Sequence, residues 1–288
     1  MDEKLCFVQF LHPGGEHGPD GGSIKGWNRK AHKRKFLVGP GRYIAGDKLL
    51  AGEIEFWGEW EPESRVKAIA DPIPHGPHFV YEPYYVMPKS YAKLQNTDPF
   101  VFGKQFHYTV CQQRTEISAT QLRYLKQGSV ILFGSRVQDS FVLDTVFVVD
   151  RWIDYNRNNC EKKLKEAISP EYKQVTISAL FHEHSERNFC TPAGQQESLR
   201  LYFGASYKKP LGDMYSFFPS QPHKDGSKGF ARPTIKLPGK VTDNQSQKYK
   251  LTPCSNLDDI SQLWQEVVEQ VRTQGLALGV YAEMPKRH

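Results

Sequence analysis

The 288-residue chain is 39% hydrophobic, 12% aromatic and 24% charged, enough apolar material for one large domain or two small ones with a core. That balance excludes a disordered tail, a collagen-like repeat and a disulfide-stapled miniprotein. The net charge of +6 is unevenly spread: residues 21–46 carry Lys25, Arg29, Lys30, Lys33, Arg34, Lys35 and Arg42 with no carboxylate. Residues 47–64 reverse the sign, with six carboxylates against Lys48 alone, and 224–250 are again cationic, with Lys228 and Arg232 among seven basic residues. Two basic stretches around an acidic one suit a polyanion binder with carboxylate chemistry, or solvated faces whose signs neutralise locally.

In chain order, KLCFVQFL (4–11) reads as a strand. Its apolar run, Leu5 to Leu11, is too short for a signal-peptide core, and the apolar stretch FVLDTVFVV is broken by Asp144 and too short for a membrane span. Five scattered cysteines without a C-x-x-C pair offer neither a disulfide framework nor a zinc ribbon. The expectation is a soluble cytoplasmic protein with no membrane partner. Further strands are expected at 42–60, 78–86, 129–134 and 140–153, the segments 129–134 and 140–149 forming a hairpin. TQLRYLKQG (120–128) predicts a short helix capped by Thr120 or Ser118 and stopped by Gly128. A second helix is predicted at 161–168, ended by Ser169-Pro170. The clearest helix spans 257–274: Leu257, Ile260, Leu263, Trp264, Val267, Val268 and Val271 share one face, and Gly275 ends it before a terminal strand. The expected fold class is α+β, with a β-barrel or strongly bent sheet at its centre, peripheral helices and a C-terminal helix–strand extension. Residues 1–155 form a mainly β core in this reading, and 156–288 an α+β extension packed on it as one composite globule.

Several segments carry candidate chemistry. The glycine-rich loop HPGGEHGPDGG (12–22) follows a strand and projects His12, Glu16, His17 and Asp20. IKGWNRKAHKRK (24–35) sets Trp27 among cations suited to phosphates, with one aromatic for stacking or wedging. In GEIEFWGEWEPES (52–64), alternation places Glu53, Glu55, Trp57, Glu59 and Glu61 on one strand face and Ile54, Phe56, Gly58 and Trp60 on the other. Carboxylates two residues apart facing a cavity would raise one another's pKa and supply a general base or an anion facing an oxocarbenium ion. FHEHSERNFC (181–190) brings His182 and His184 together, but no second ligand pair stands at zinc spacing, so no metal is assigned. MYSFFPSQP (214–222) offers Tyr215 and Phe217 as an aromatic platform. No nucleophile motif and no cofactor signature is present.

The hairpin LKQGSVILFGS…FVLDTVFVVDRW (125–152), together with HGPHFVYE (75–82) and Tyr-Ser-Phe-Phe-Pro (215–219), resembles the PUA-like small barrels of the ASCH and EVE group. It is similar to the nucleotide-modification-associated proteins of phage-defence loci. The resemblance implies recognition of a modified nucleobase in a barrel pocket. In the same setting are defence DNA glycosylases that excise glucosylated cytosine. The expected function is therefore antiviral: a DNA glycosylase that flips a bulky modified base out of phage DNA and leaves an abasic site. Asp20, Glu55 and Glu59 are the candidate catalytic carboxylates. Lys25, Trp27, Arg29, Lys30, Lys33, Arg34, Lys35, Arg42, Lys228 and Arg232 would hold DNA, and Trp57, Tyr215 and Phe217 would line the base pocket. The alternatives are a non-catalytic reader of modified bases and a metal-dependent nucleic-acid hydrolase using His182 and His184.

Overall fold

The computed structural model describes residues 2–12, 15–18, 24–25, 34–60, 62–70, 72–85, 97–115, 118–178, 180–181, 198–227, 229–243 and 248–286. Thirteen strands among them form two sheets, with few helices, an α+β architecture. The strands are β1 (Cys6–His12), β2 (Ile24–Lys25), β3 (Lys35–Ala45), β4 (Lys48–Gly58), β5 (Ser64–Ile69), β6 (Phe79–Pro83), β7 (His107–Tyr108), β8 (Val130–Val137), β9 (Ser140–Tyr155), β10 (Leu199–Gly204), β11 (Phe218–Pro222), β12 (Tyr249–Pro253) and β13 (Ala277–Ala282).

One sheet runs β12-β1-β8-β9-β10-β7, and its β1–β8 pair is parallel. The other runs β13-β11-β4-β3-β6-β5-β2, and β13 also pairs with β3. The strands β3, β4, β11 and β13 thus close on one another in a ring. Strands from the second half of the chain complete both sheets: β10 and β12 the first, β11 and β13 the second.

The strongest periodicities fold as expected. The hairpin is β8–β9, paired from Val130 opposite Val148 to Val137 opposite Ser140, with a bulge where the register shifts between Phe133 and Gly134. The long helix α3 (Leu257–Thr273) buries Ile260, Trp264, Val267, Val268 and Val271. The Asn256 side chain accepts from the Asp259 N–H and starts it; Gly275, at φ +80°, follows it, a conformation glycine adopts without a Cβ penalty.

Three local expectations need correction. The strand expected over 42–60 is two strands, because the chain reverses at Gly46 (φ +58°) and Asp47 and pairs Ala45 with Lys48. The helix expected over 120–128 shrinks to a 3₁₀ turn at Gln121–Tyr124. Lys4 pulls the following residues out straight: its N–H donates to the Tyr124 carbonyl and its carbonyl accepts from Lys126. The helix expected over 161–168 spans only Cys160–Leu164 (α1). Ser169-Pro170 starts a new turn instead, α2 (Pro170–Tyr172), with Ser169 accepting from the Tyr172 N–H and Pro170 in the first turn, where proline's missing donor costs nothing.

Candidate functional site

Four charged side chains meet in the interior where the two sheets face each other. Arg34 stands immediately before β3, Glu59 immediately after β4, Asp144 on β9, and Arg232 on the segment that follows β11. Arg34 Nη1 lies 3.0 Å from Glu59 Oε2 and its Nε 2.8 Å from Asp144 Oδ2. Arg232 Nη1 lies 3.5 Å from Asp144 Oδ1 and donates to Ser135 Oγ at 3.1 Å. None of the four side chains is more than 6% exposed. Burial alone would depress the Arg34 guanidinium, but Glu59 and Asp144 reverse that and hold it above its ordinary value. Arg232 is lowered, by burial first and by Arg34 second, with Asp144 partly offsetting both.

Backbone features fix these groups in place. The Arg34 N–H donates to the Gly15 carbonyl, and the His17 N–H donates to the Arg34 carbonyl, so the described part of the glycine-rich loop is laced to the start of β3. The Glu16 carboxylate accepts from the backbone N–H groups of His78 and Phe79, and Tyr81 Oη donates to the His17 carbonyl. The segment carrying Arg232 is tied down by Trp57, whose Nε1 donates to the Phe230 carbonyl at 2.8 Å. The Arg232 guanidinium lies over the Trp57 ring, 4.7 Å from its centroid, a cation–π contact in a dry setting. Burying such ions costs several kcal/mol each before their attraction is counted, and an apolar cluster of the same volume is often as stable or more so. Four of them in one place mark a functional site better than a stabilising one.

His12 stands next to Ser135, which meets Arg232. In the parallel β1–β8 pair it is the register partner of Ser135, so both side chains stand on the same face. Its ring stacks on Phe133 at 5.5 Å and meets Phe10 edge-on at 4.7 Å. Only 7% of the residue is exposed, and neither ring nitrogen meets a hydrogen-bond partner among the described residues. Deeper in, the Asp98 carboxylate accepts from the N–H groups of Thr109, Val110 and Cys111. Burial nevertheless pushes its pKa up to about 7, and Glu59 adds to the rise.

The expected site residues divide sharply. Glu55 and Glu59 both point inward, but to different partners. Glu55 holds His223 Nδ1 at 2.6 Å, Gln221 Nε2 at 2.7 Å and Ser227 Oγ at 2.7 Å, whereas Glu59 joins Arg34. Glu53, by contrast, is exposed and Glu61 lies outside the described residues. Arg34 and Lys35 are interior residues, not parts of a cationic surface arm. Lys35 Nζ donates to the carbonyls of Trp60 and Pro62, and these dipoles satisfy the ammonium in place of water. Arg42 is exposed, over the Tyr281 ring, and Lys25 lies on β2, paired with β5. Tyr215 and Phe217 pack against Trp264 of α3 at 5.0 and 6.1 Å as part of the core, while Trp57 sits beneath Arg232. Asp20, Trp27, Arg29, Lys30, Lys33 and Lys228, with His182 and His184, lie outside the described residues.

The sequence reading passed over Asp144 and Ser135 as site residues, and placed His12 on the glycine-rich loop, whereas it is the last residue of β1. The available signal was Asp144 itself, a lone carboxylate inside an apolar strand, which needs a buried partner. Among the described residues no group of three or more His, Cys, Asp and Glu side chains is arranged to hold a metal ion, and no helix is long and apolar enough to cross a membrane. Comparison with protein-family models, curated proteins and solved structures finds no match for this chain.

Proposed function

We propose that the chain is a DNA-directed N-glycosylase: it takes one extruded nucleotide, carrying a bulky modified base such as a glucosylated cytosine, and hydrolyses its glycosidic bond. The observation that carries this reading is the buried Arg34–Glu59–Asp144–Arg232 cluster at the end of the cationic segment 21–35. Basic side chains along that segment lead in sequence to buried carboxylates, the two elements such a reaction needs. Glu59 and Asp144, each beside a guanidinium, stabilise positive charge as the C1′–N bond breaks and orient the water whose oxygen bonds to C1′. The base leaves with a proton, and the DNA keeps an abasic site. Glu55 is assigned a structural role, because three donors already occupy its carboxylate. The closed strand ring and the β8–β9 hairpin support a PUA-like barrel, and the proposed setting is a phage-defence protein of the cytoplasm.

The test is incubation of purified protein with unmodified and glucosylated phage DNA, followed by alkali and by mass spectrometry of what is released. Free modified base and alkali-labile breaks are expected. Glu59→Gln and Asp144→Asn each should lower release by about 100-fold, with Glu55→Gln close to wild type if it folds. Intact strands with a mobility shift would replace this reading with that of a modified-base reader. That second reading is favoured by the fact that Arg34 engages both carboxylates, as a recognition cluster would.

A further inference from the structure

Among the described residues, the edge of β3 away from β4 has a gap. There β6 pairs with β3 only as far as Leu37 opposite Tyr81, and β13 pairs with it only from Gly41 opposite Ala282 to Ile44 opposite Leu278. Val38, Gly39 and Pro40 lie between. The next residues of β6 are Glu82 and Pro83, and the proline has no N–H with which to carry the ladder on. The gap holds a cavity of about 110 Å³, and none of its lining residues belongs to the Arg34–Glu59–Asp144–Arg232 cluster. Gly39 forms part of its wall, and a Cβ added there would meet nothing within 4 Å. The inner wall is apolar, with Phe56 and Phe102 buried and their rings 6.1 Å apart, and Met284 beside them. The outer lining carries three exposed carboxylates, Glu53 on β4, Glu82 on β6 and Glu283 just after β13, against the ammonium of Lys286. Lys67 reaches Glu53 at 3.5 Å, and the rim stays negative with both lysines counted.

We propose that this cavity binds a primary alkylammonium ion with a stem of about four carbons, since an apolar cavity of about 150 Å³ takes up benzene and this one is somewhat smaller. The stem lies against Phe56, Phe102 and Met284, and the ammonium stays at the mouth among the carboxylates, half in water, as long cationic side chains do on protein surfaces. An alkyl carboxylate would meet the same wall but be repelled at the rim, and an alcohol of equal length gains no charge attraction there. A bare metal ion does not suit the site, because no group of three or more His, Cys, Asp and Glu among the described residues is arranged to hold one. The alkylammonium group has two sources, a free amine and the lysine side chain of a peptide.

The experiment follows the Met284 methyl signal by NMR in the full chain with ¹³C-labelled methionine methyls, assigned with Met284→Leu. The probes are n-butylammonium, n-butanol, butyrate and Nα-acetyl-lysine N-methylamide. A saturable shift with butylammonium is expected, none with butyrate, and an affinity for butanol lower by about fivefold. Glu82→Gln and Glu283→Gln, both at exposed positions, should each weaken butylammonium binding by about twofold to threefold. Gly39→Leu sets a side chain into the open space and should abolish the shift. Thermal melts establish that each variant is folded, and should Gly39→Leu fold poorly, the two glutamine variants decide. A shift with the lysine derivative as well assigns the site to lysine side chains; a shift confined to butylammonium assigns it to a free amine. Silence with butylammonium, equal affinity for butanol or butyrate, or binding unchanged in folded Gly39→Leu or in both glutamine variants overturns the proposal.

Discussion

Replacing His107 with phenylalanine should flatten the acid side of the stability profile. His107, on β7, stacks on Tyr172 at 4.7 Å and meets Phe203 edge-on at 5.1 Å, and its Nδ1 is buried without a hydrogen-bond partner among the described residues. Burial presses its pKa down to about 3 from the ordinary 6.5, and the Arg151 charge adds to the fall. Below pH 6.5 the unfolded chain therefore binds a proton that the folded chain refuses, so stability is lost as pH falls from about 6.5 towards 3. At 1.36 kcal/mol per pKa unit, the accumulated loss is about 2 kcal/mol at pH 5 and about 3 kcal/mol at pH 4. Asp98 works in the opposite direction. Its pKa is raised to about 7, chiefly by burial, so the folded state takes that proton more readily and gains stability as pH falls from 7 towards 4. The Asp98 contribution is common to both proteins and drops out of their difference. Urea unfolding at pH 4, 5, 6 and 7 should show His107→Phe gaining about 3 kcal/mol on wild type between pH 7 and pH 4. Parallel curves at a constant offset would refute the account of His107 as a buried neutral imidazole.

Three further substitutions probe the framework. Arg34→Met leaves Glu59 buried without its guanidinium and Asp144 with that of Arg232 alone, and should cost about 3–5 kcal/mol in urea unfolding; a loss under 1 kcal/mol would show that the cluster is not a buried ion network. Gly134→Ala would set a Cβ 2.2 Å from the Val142 carbonyl oxygen and 2.6 Å from the Phe141 ring, so the β8–β9 bulge has to shift; about 1–3 kcal/mol of destabilisation is expected, seen as a lower Tm. Asn256→Ala removes the side chain that caps α3 and should cost about 1 kcal/mol, with an unchanged midpoint counting against the cap.

The parts of the fold legible in the sequence are those in which one element states its own period. Helix α3 repeats its apolar face every three to four residues, and β8–β9 are long apolar runs separated by a polar turn. The site was harder to read because its members come from five separated segments, and no spacing rule joins Arg34, Glu59, Ser135, Asp144 and Arg232. Charge also misled: Arg34 and Lys35 look like the end of a solvated basic run, since such residues are rarely buried. The three apolar residues after them, Phe36, Leu37 and Val38, are the sign that the strand had already begun. Strict alternation along 52–64 correctly grouped Glu55, Trp57 and Glu59, but alternation cannot reveal that both faces of β4 are covered from Ile54 to Gly58 while Glu53 stays exposed.

The insertion of β13 between β3 and β11 has a bearing on biosynthesis. Residues 277–282 are translated long after residues 35–58, so the β3–β4 hairpin must wait, edge exposed, for most of the chain to emerge before its ring can shut. Between the synthesis of Asp144 and that of Arg232, Glu59 and Asp144 have only the Arg34 guanidinium to share. Nascent protein is thus least protected where the mature protein is most highly charged, and a ribosome stalled between residues 144 and 230 would hold a chain prone to capture by holdase chaperones.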